Sequence, residues 1–133
     1  MNAQEKYEYW LDIAGYDLET AGFMLSSGRW LYVVFMCQQA VEKLSKGLYT
    51  LYVDDNVPRV HNIKTIIDHF EDKLPIKIPK EKSDFFDTLS AYYLNNRYPD
   101  FISKLSLQVK ESEAAKILSE TREVFTWLLT LKP

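Results

Sequence analysis

Between Trp30 and Leu51 the chain reads WLYVVFMCQQAVEKLSKGLYTL, and the apolar residues Val33, Cys37, Ala40, Leu44, Leu48 and Leu51 recur every three or four positions. Only an α-helix gathers that spacing onto one face, so the stretch predicts a core helix. Val34 and Val41 widen the stripe, which predicts contact with two or more partner elements. The polar residues Gln38, Gln39, Glu42, Lys43 and Lys46 are then expected on the remaining surface, with Glu42 and Lys46 spaced to pair across one turn.

The flanking sequence supplies the partners. Tyr7, Trp10, Leu11, Ala14, Leu18, Ala21 and Leu25 form an apolar stripe over Glu5 to Ser26, ended by Gly28. Asp17 interrupts that stripe, and a carboxylate there must find a donor, so a hydrogen bond to a Lys, Arg or Tyr of another helix is expected. The Asp54-Asp55-Asn56 cluster and Pro58 mark a loop. His61 and Asn62 are placed to cap a third helix, Ile63 to about Asp72, with Ile63, Ile66, Ile67 and Phe70 inward. Pro75 and Pro79 break helix, and a fourth helix is expected from Lys80 to Asn95. Its buried side would hold Phe85 or Phe86, Leu89, and Tyr92 or Tyr93. Pro99 disfavours helix at Tyr98, and Phe101 to Gln108 reads as ambiguous, with an extended conformation open. A last helix over Lys110 to Leu131 puts Ala114, Ile117, Leu118, Thr121, Val124, Phe125 and Leu128 on one side. The prediction is an all-α single domain over residues 1–133: an up-and-down antiparallel bundle of four long helices plus one short helix.

Several function classes drop out. A net charge of -3 argues against a polybasic nucleic-acid binder, although a local basic patch is compatible with it. The single Cys37 lies in the apolar stripe and cannot form an internal disulfide. Neither a His-x-x-x-His nor a paired-cysteine motif is present, and the four glycines share no phosphate-loop spacing, so no metal and no cofactor are expected. Charged Glu5, Lys6, Glu8 and Asp12 interrupt the N-terminal stretch and no apolar run reaches membrane-spanning length, so a cytoplasmic protein without a membrane association is expected.

Three polar groups remain as candidates for chemistry. Gln38, Gln39, Glu42, Lys43 and Lys46 offer amides and ammonium groups along one helix, suited to phosphate contacts and equally to plain solvation. Arg97, Tyr98, Pro99 and Asp100 form a compact turn, whose structural reading is an ion pair from Arg97 to Asp100 or Asp17. His61 reads as a helix cap or as a ligand contact.

Trp10, Ala14, Asp17 and Ala21, then Phe35, Gln38-Gln39-Ala40 with Glu42-Lys43 and Lys46, next Pro58 with His61, and finally Arg97-Tyr98-Pro99-Asp100 are, in that order and spacing, similar to the pattern of HEPN domains. The resemblance covers nearly the whole chain and is weakest in the last helix. Such domains are helical bundles, often dimeric, with a related one at the end of the chaperone sacsin. Many prokaryotic members resemble partners of minimal nucleotidyltransferases, and several are ribonuclease toxins. The resemblance therefore implies a module that binds nucleotide or RNA phosphate, or a minimal nucleotidyltransferase, through Gln39, Lys43, Lys46, His61, Arg97, Tyr98 and Asp100, with Lys43, Lys46 and Arg97 converging on one cleft and Asp17 close enough to orient one of them. Its ribonuclease members carry an Arg followed four to six residues later by a His. Here Arg97 is followed by Tyr98, Pro99, Asp100, Phe101, Ile102, Ser103 and Lys104. With no acid-base group at that place, binding without catalysis is expected, and the alternative is a metal-independent ribonuclease toxin that uses Arg97 with a displaced base such as His61. The aromatic residues Tyr9, Tyr16, Trp30, Tyr32, Tyr49 and Tyr52 exceed what one small core needs, so a homodimer is expected.

Overall fold

Asn2 opens the first helix: its side chain accepts the backbone N–H of Glu5 at 2.8 Å, while Glu5 Oε1 accepts the backbone N–H of Asn2 at 3.2 Å. This reciprocal cap starts α1 at Ala3, two residues before the apolar stripe suggests, and α1 runs to Ser26. Gly28, at φ 76°, closes it. The Arg29 N–H returns to the Met24 carbonyl and the Gly28 N–H to the Leu25 carbonyl, a pair of bonds that needs a left-handed residue between helices. The chain reverses there into α2, Trp30–Tyr52.

The computed structural model describes residues 1–94 and 97–133. After α2 come α3 (Ile63–Asp68), a single 3₁₀ turn (Glu71–Lys73), α4 (Lys80–Ser90), α5 (Pro99–Gln108) and α6 (Glu111–Leu129). Among the described residues no strand occurs. The all-α class is as predicted, but the division differs: α1, α2 and α6 are long, while α3, α4 and α5 are shorter.

Each difference has a local cause. α4 ends at Ser90, where the Tyr92 N–H tightens onto the Leu89 carbonyl at 2.9 Å. The expected end at Asn95, and the turn through Asn95 and Asn96, lie outside the described residues. Phe101 to Gln108, an ambiguous stretch in sequence, is helical. Pro99 occupies its first turn, where a missing N–H removes nothing the helix could use, and Asp100 adds a favourable charge at that end. The proline that disfavours helix before it thus initiates the helix after it. The third helix stops at Asp68 rather than Asp72, and the chain continues as the 3₁₀ turn.

α2 is the axis. α1 packs along it antiparallel, so that residues early in α1 meet residues late in α2, and α3, α4, α5 and α6 also touch it. Gly47 allows the close approach of α1, because a Cβ there would lie 3.0 Å from Trp10 Cβ. Val33, Val34, Cys37, Ala40, Val41, Leu44 and Leu48 are all fully buried. The predicted inner faces of α3 and α6 are buried as well, and on α4 both Phe85 and Phe86 are inside. The Tyr52 hydroxyl donates to the carbonyl of Leu131, tying the end of α2 to the C-terminal residues.

Candidate ligand-binding site

Surrounded on so many sides, α2 has little free polar face. Gln38, Glu42 and Lys46, four residues apart and therefore stacked on one side of the helix, are 0%, 3% and 8% exposed. This corrects the expectation that they lie on the surface. Burial obliges them to find partners, and they do so largely with one another. Glu42 Oε2 accepts Lys46 Nζ at 2.9 Å, and Glu42 Oε1 accepts Gln38 Nε2 at 2.8 Å. The same amide donates to the backbone carbonyl of His61 at 3.1 Å, and Gln38 Oε1 accepts Gln39 Nε2 at 2.7 Å. Among the described residues no buried side-chain nitrogen or oxygen lacks a partner.

His61 joins this network from the loop after α2. Its Nδ1 lies 3.2 Å from both carboxylate oxygens of Glu42. Its ring stacks on Tyr93, with centroids 3.8 Å apart and planes 8° from parallel. Asn62, not His61, caps α3, accepting the Thr65 N–H at 3.0 Å. With 43% of its side chain exposed, His61 lines a depression of about 410 Å³ together with Asn62, Thr65, Ser90, Tyr93 and Arg97.

Arg97 is exposed, donates from Nε to the Tyr93 carbonyl at 3.1 Å, and holds its guanidinium 5.0 Å from the Phe101 ring centroid. Among the described residues no carboxylate lies within ion-pair distance of it, so the expected bridge to Asp100 or Asp17 is not formed. Asp17 is taken instead by Lys43 Nζ at 2.6 Å, across the α1–α2 interface. That is the donor from another helix which its place in an apolar stripe requires. Tyr98 and Asp100 are exposed beside Arg97 and do not line the depression.

The three cations expected to converge on one cleft, Lys43, Lys46 and Arg97, are instead distributed. Lys43 pairs with Asp17. Lys46 opens on a second depression, of about 480 Å³, shared with Lys6, Trp10, Asp55 and Arg59, and lies 6.0 Å from the Trp10 ring centroid. Arg97 opens on the first, with His61. Glu42 is the hinge between the two depressions, because it contacts both Lys46 and His61. Sequence reasoning missed Tyr93 and Ser90 as lining residues. The four-residue spacing of Gln38, Glu42 and Lys46 was the available signal for the buried network, and only the return of residue 61 to α2 shows what it holds.

Among the described residues no group of three or more His, Cys, Asp and Glu side chains is arranged to hold a metal ion, and no helix is long and apolar enough to cross a membrane.

Residues 7–131 of this helical bundle match the HEPN domain model. The chain belongs to the HEPN domain family. It is similar to the crystal structure of TT1696 from Thermus thermophilus at 23% identity and a TM-score of 0.80, covering 98% of each chain. It is also similar to ST0689, an archaeal HEPN homologue, at 20% identity and a TM-score of 0.72, covering 96% of this chain and 98% of the other. These two likenesses establish the fold. No curated protein matches.

Proposed function

We propose that this HEPN domain binds an anionic ligand, a nucleotide or an RNA phosphate, in the depression of His61, Tyr93 and Arg97, without cleaving it. The observation that supports this most is that Arg97 and His61, far apart in sequence, line one depression. A guanidinium there offers several N–H donors in a planar fork suited to phosphate oxygens. The stacked His61 and Tyr93 rings offer a flat partner for a base, and Asn62, Thr65 and Ser90 add polar groups at the walls. Tyr98 and Asp100 flank Arg97 and are assigned to the rim. Lys43, Lys46, Asp17 and Gln39 support the site from α1 and α2 rather than by direct contact, since each is committed to an internal partner. Calorimetric titration with nucleotides and short RNA tests the reading, with Arg97→Ala expected to lose affinity and Lys43→Ala expected to lose stability first.

The same juxtaposition favours a second reading. His61 is displaced in sequence from the place of the ribonuclease histidine, yet it lines the same depression as Arg97 and has a carboxylate at its Nδ1. A metal-independent ribonuclease, the toxin of a toxin–antitoxin pair, would use such a group as its base. Cleavage of RNA in the presence of a chelator, abolished by both Arg97→Ala and His61→Ala, would replace the binding reading with this one.

As partners we propose a second copy of the chain and, by family resemblance, a minimal nucleotidyltransferase. Tyr9, Tyr16 and Phe23 are 58%, 73% and 62% exposed on α1. Spaced by seven, they form one apolar seam along the helix. Tyr32 is exposed as well, whereas Tyr49 is buried and belongs to the core. Co-purification with a candidate nucleotidyltransferase tests the second partner.

A further inference from the structure

The geometry points to Glu42 as a positioning residue that holds His61 with its proton on Nδ1, leaving Nε2 as a proton acceptor in the depression His61 shares with Arg97, for a ligand that presents a hydroxyl next to an anionic oxygen. Glu42 is 3% exposed, and its carboxylate is contacted by Lys46, Gln38 and His61. The first two contacts are made by nitrogens that only donate, Lys46 Nζ and Gln38 Nε2. A carboxylate so surrounded accepts, so the nitrogen of His61 that faces it must carry the proton.

Three restraints then fix the ring. Gln38 Nε2 bonds the carbonyl of His61 at 3.1 Å, Glu42 holds Nδ1 at 3.2 Å, and Tyr93 covers one face at 3.8 Å between centroids. The carboxylate lies at one ring nitrogen, and the side chain is 43% exposed where it lines the depression. A neutral imidazole in this state is an acceptor at Nε2, whereas Arg97 only donates. The two are complementary to different parts of one ligand, an acceptor for its hydroxyl and donors for its anion. Buried acidic residues beside histidines orient metal ligands and catalytic bases in the same way. The ligand half of this inference rests on the binding function proposed above, and the proton half does not.

The test uses imidazole nitrogen–proton correlation spectra of the ¹⁵N-labelled whole chain at about pH 8, above the ordinary histidine range. The chain has only His61 and His69. His69 Nδ1 lies 2.8 Å from the Thr65 carbonyl and serves as an internal control. In the unmutated protein His61 is expected in the Nδ1–H form. In Glu42→Gln an Nε2–H population is expected, with His69 unchanged. An Nε2–H form of His61 in the unmutated protein, or an imidazolium protonated on both nitrogens at that pH, overturns the assignment without recourse to any variant, so the outcome holds even where Glu42→Gln fails to fold.

For the ligand half, glycerol 2-phosphate and methyl phosphate are titrated in turn. The first, which carries hydroxyls next to its phosphate, is expected to bind about 3- to 10-fold more tightly, the worth of one net hydrogen bond. That preference is expected to vanish in Glu42→Gln and both affinities to fall in Arg97→Ala. Equal affinities in the unmutated protein overturn the hydroxyl preference. Failure of both phosphates to bind overturns the ligand half along with the proposed function, while the spectra still decide the role of Glu42.

Discussion

Cys37 shows how completely α2 converts side chains into core. It is fully buried, and burial pushes its thiol from an ordinary 9.0 up to about 11, against smaller lowering effects of the Thr121 hydroxyl and the Arg122 charge. The folded protein therefore holds the thiol neutral where the unfolded chain would ionise it. By linkage, stability from this group is complete below 9.0 and declines as pH rises toward about 11. Labelling by a thiol-specific disulfide reagent at pH 8 is expected to follow global unfolding, and fast labelling of the native protein would contradict this placement. Glu42 and Lys46 show the opposite limit of sequence reading. Their pairing is legible from the four-residue spacing, but their burial is not, because the groups that cover them come from elsewhere: Trp10 lies near Lys46, and His61 meets Glu42. Glu42→Ala would leave Lys46 buried without its partner. We expect a loss of about 3–5 kcal/mol in denaturant unfolding, the range for breaking a buried pair. A loss comparable to that of an exposed pair, below about 1 kcal/mol, would mean the network is wetter than its accessibility indicates.

Among the elements, α1, α2 and α6 were legible because a stripe repeated over five or six turns averages out single exceptions such as Asp17. α5 was not. None of its residues is fully buried, so the demand for an apolar face is weak there, and Phe101, Ile102 and Leu105 give only a partial stripe. Its start signal, a proline followed by an acidic residue, is present in Pro99 and Asp100, but the same proline reads equally as the end of the preceding helix. The α1–α2 pair carries the sharpest test at this scale. A Cβ on Gly47 would meet Trp10 Cβ at 3.0 Å, Tyr7 Cδ1 at 3.4 Å and the Tyr7 carbonyl at 3.5 Å. Gly47→Ala is expected to destabilise by about 1–3 kcal/mol through overpacking, in spite of the better helix propensity of alanine. Gly15 lies on the same pair of helices with nothing within 4 Å of its would-be Cβ, and Gly15→Ala is expected to stabilise by about 0.5–1 kcal/mol. Thermal melts of both variants check the pair, and a reversed order would refute the interhelix geometry.

For the whole molecule, the fold was more legible than the site because a fold follows from many periodic residues and a site from a few that the chain brings together late. The HEPN pattern was legible as a set of residues, yet the turn at Arg97 meets His61 rather than Lys43 and Lys46 at a common depression. Spacing along α2 had no way to reveal that Lys43 turns to α1 and Lys46 to the other side of Glu42. The exposed seam of Tyr9, Tyr16 and Phe23 leads us to expect a homodimer by light scattering at about tens of micromolar, a concentration suited to a modest interface. Tyr16→Glu is expected to yield a monomer of unchanged helicity, whereas a monomeric unmutated protein would end the dimer proposal. The central proposal, that the Arg97 and His61 depression holds an anion, is tested most directly by calorimetric titration of a short RNA into the unmutated protein and Arg97→Ala. We predict an affinity that weakens with added salt and falls about tenfold or more on removal of the guanidinium, with the RNA recovered intact. Unchanged affinity in Arg97→Ala, or no binding to the unmutated protein, would contradict it.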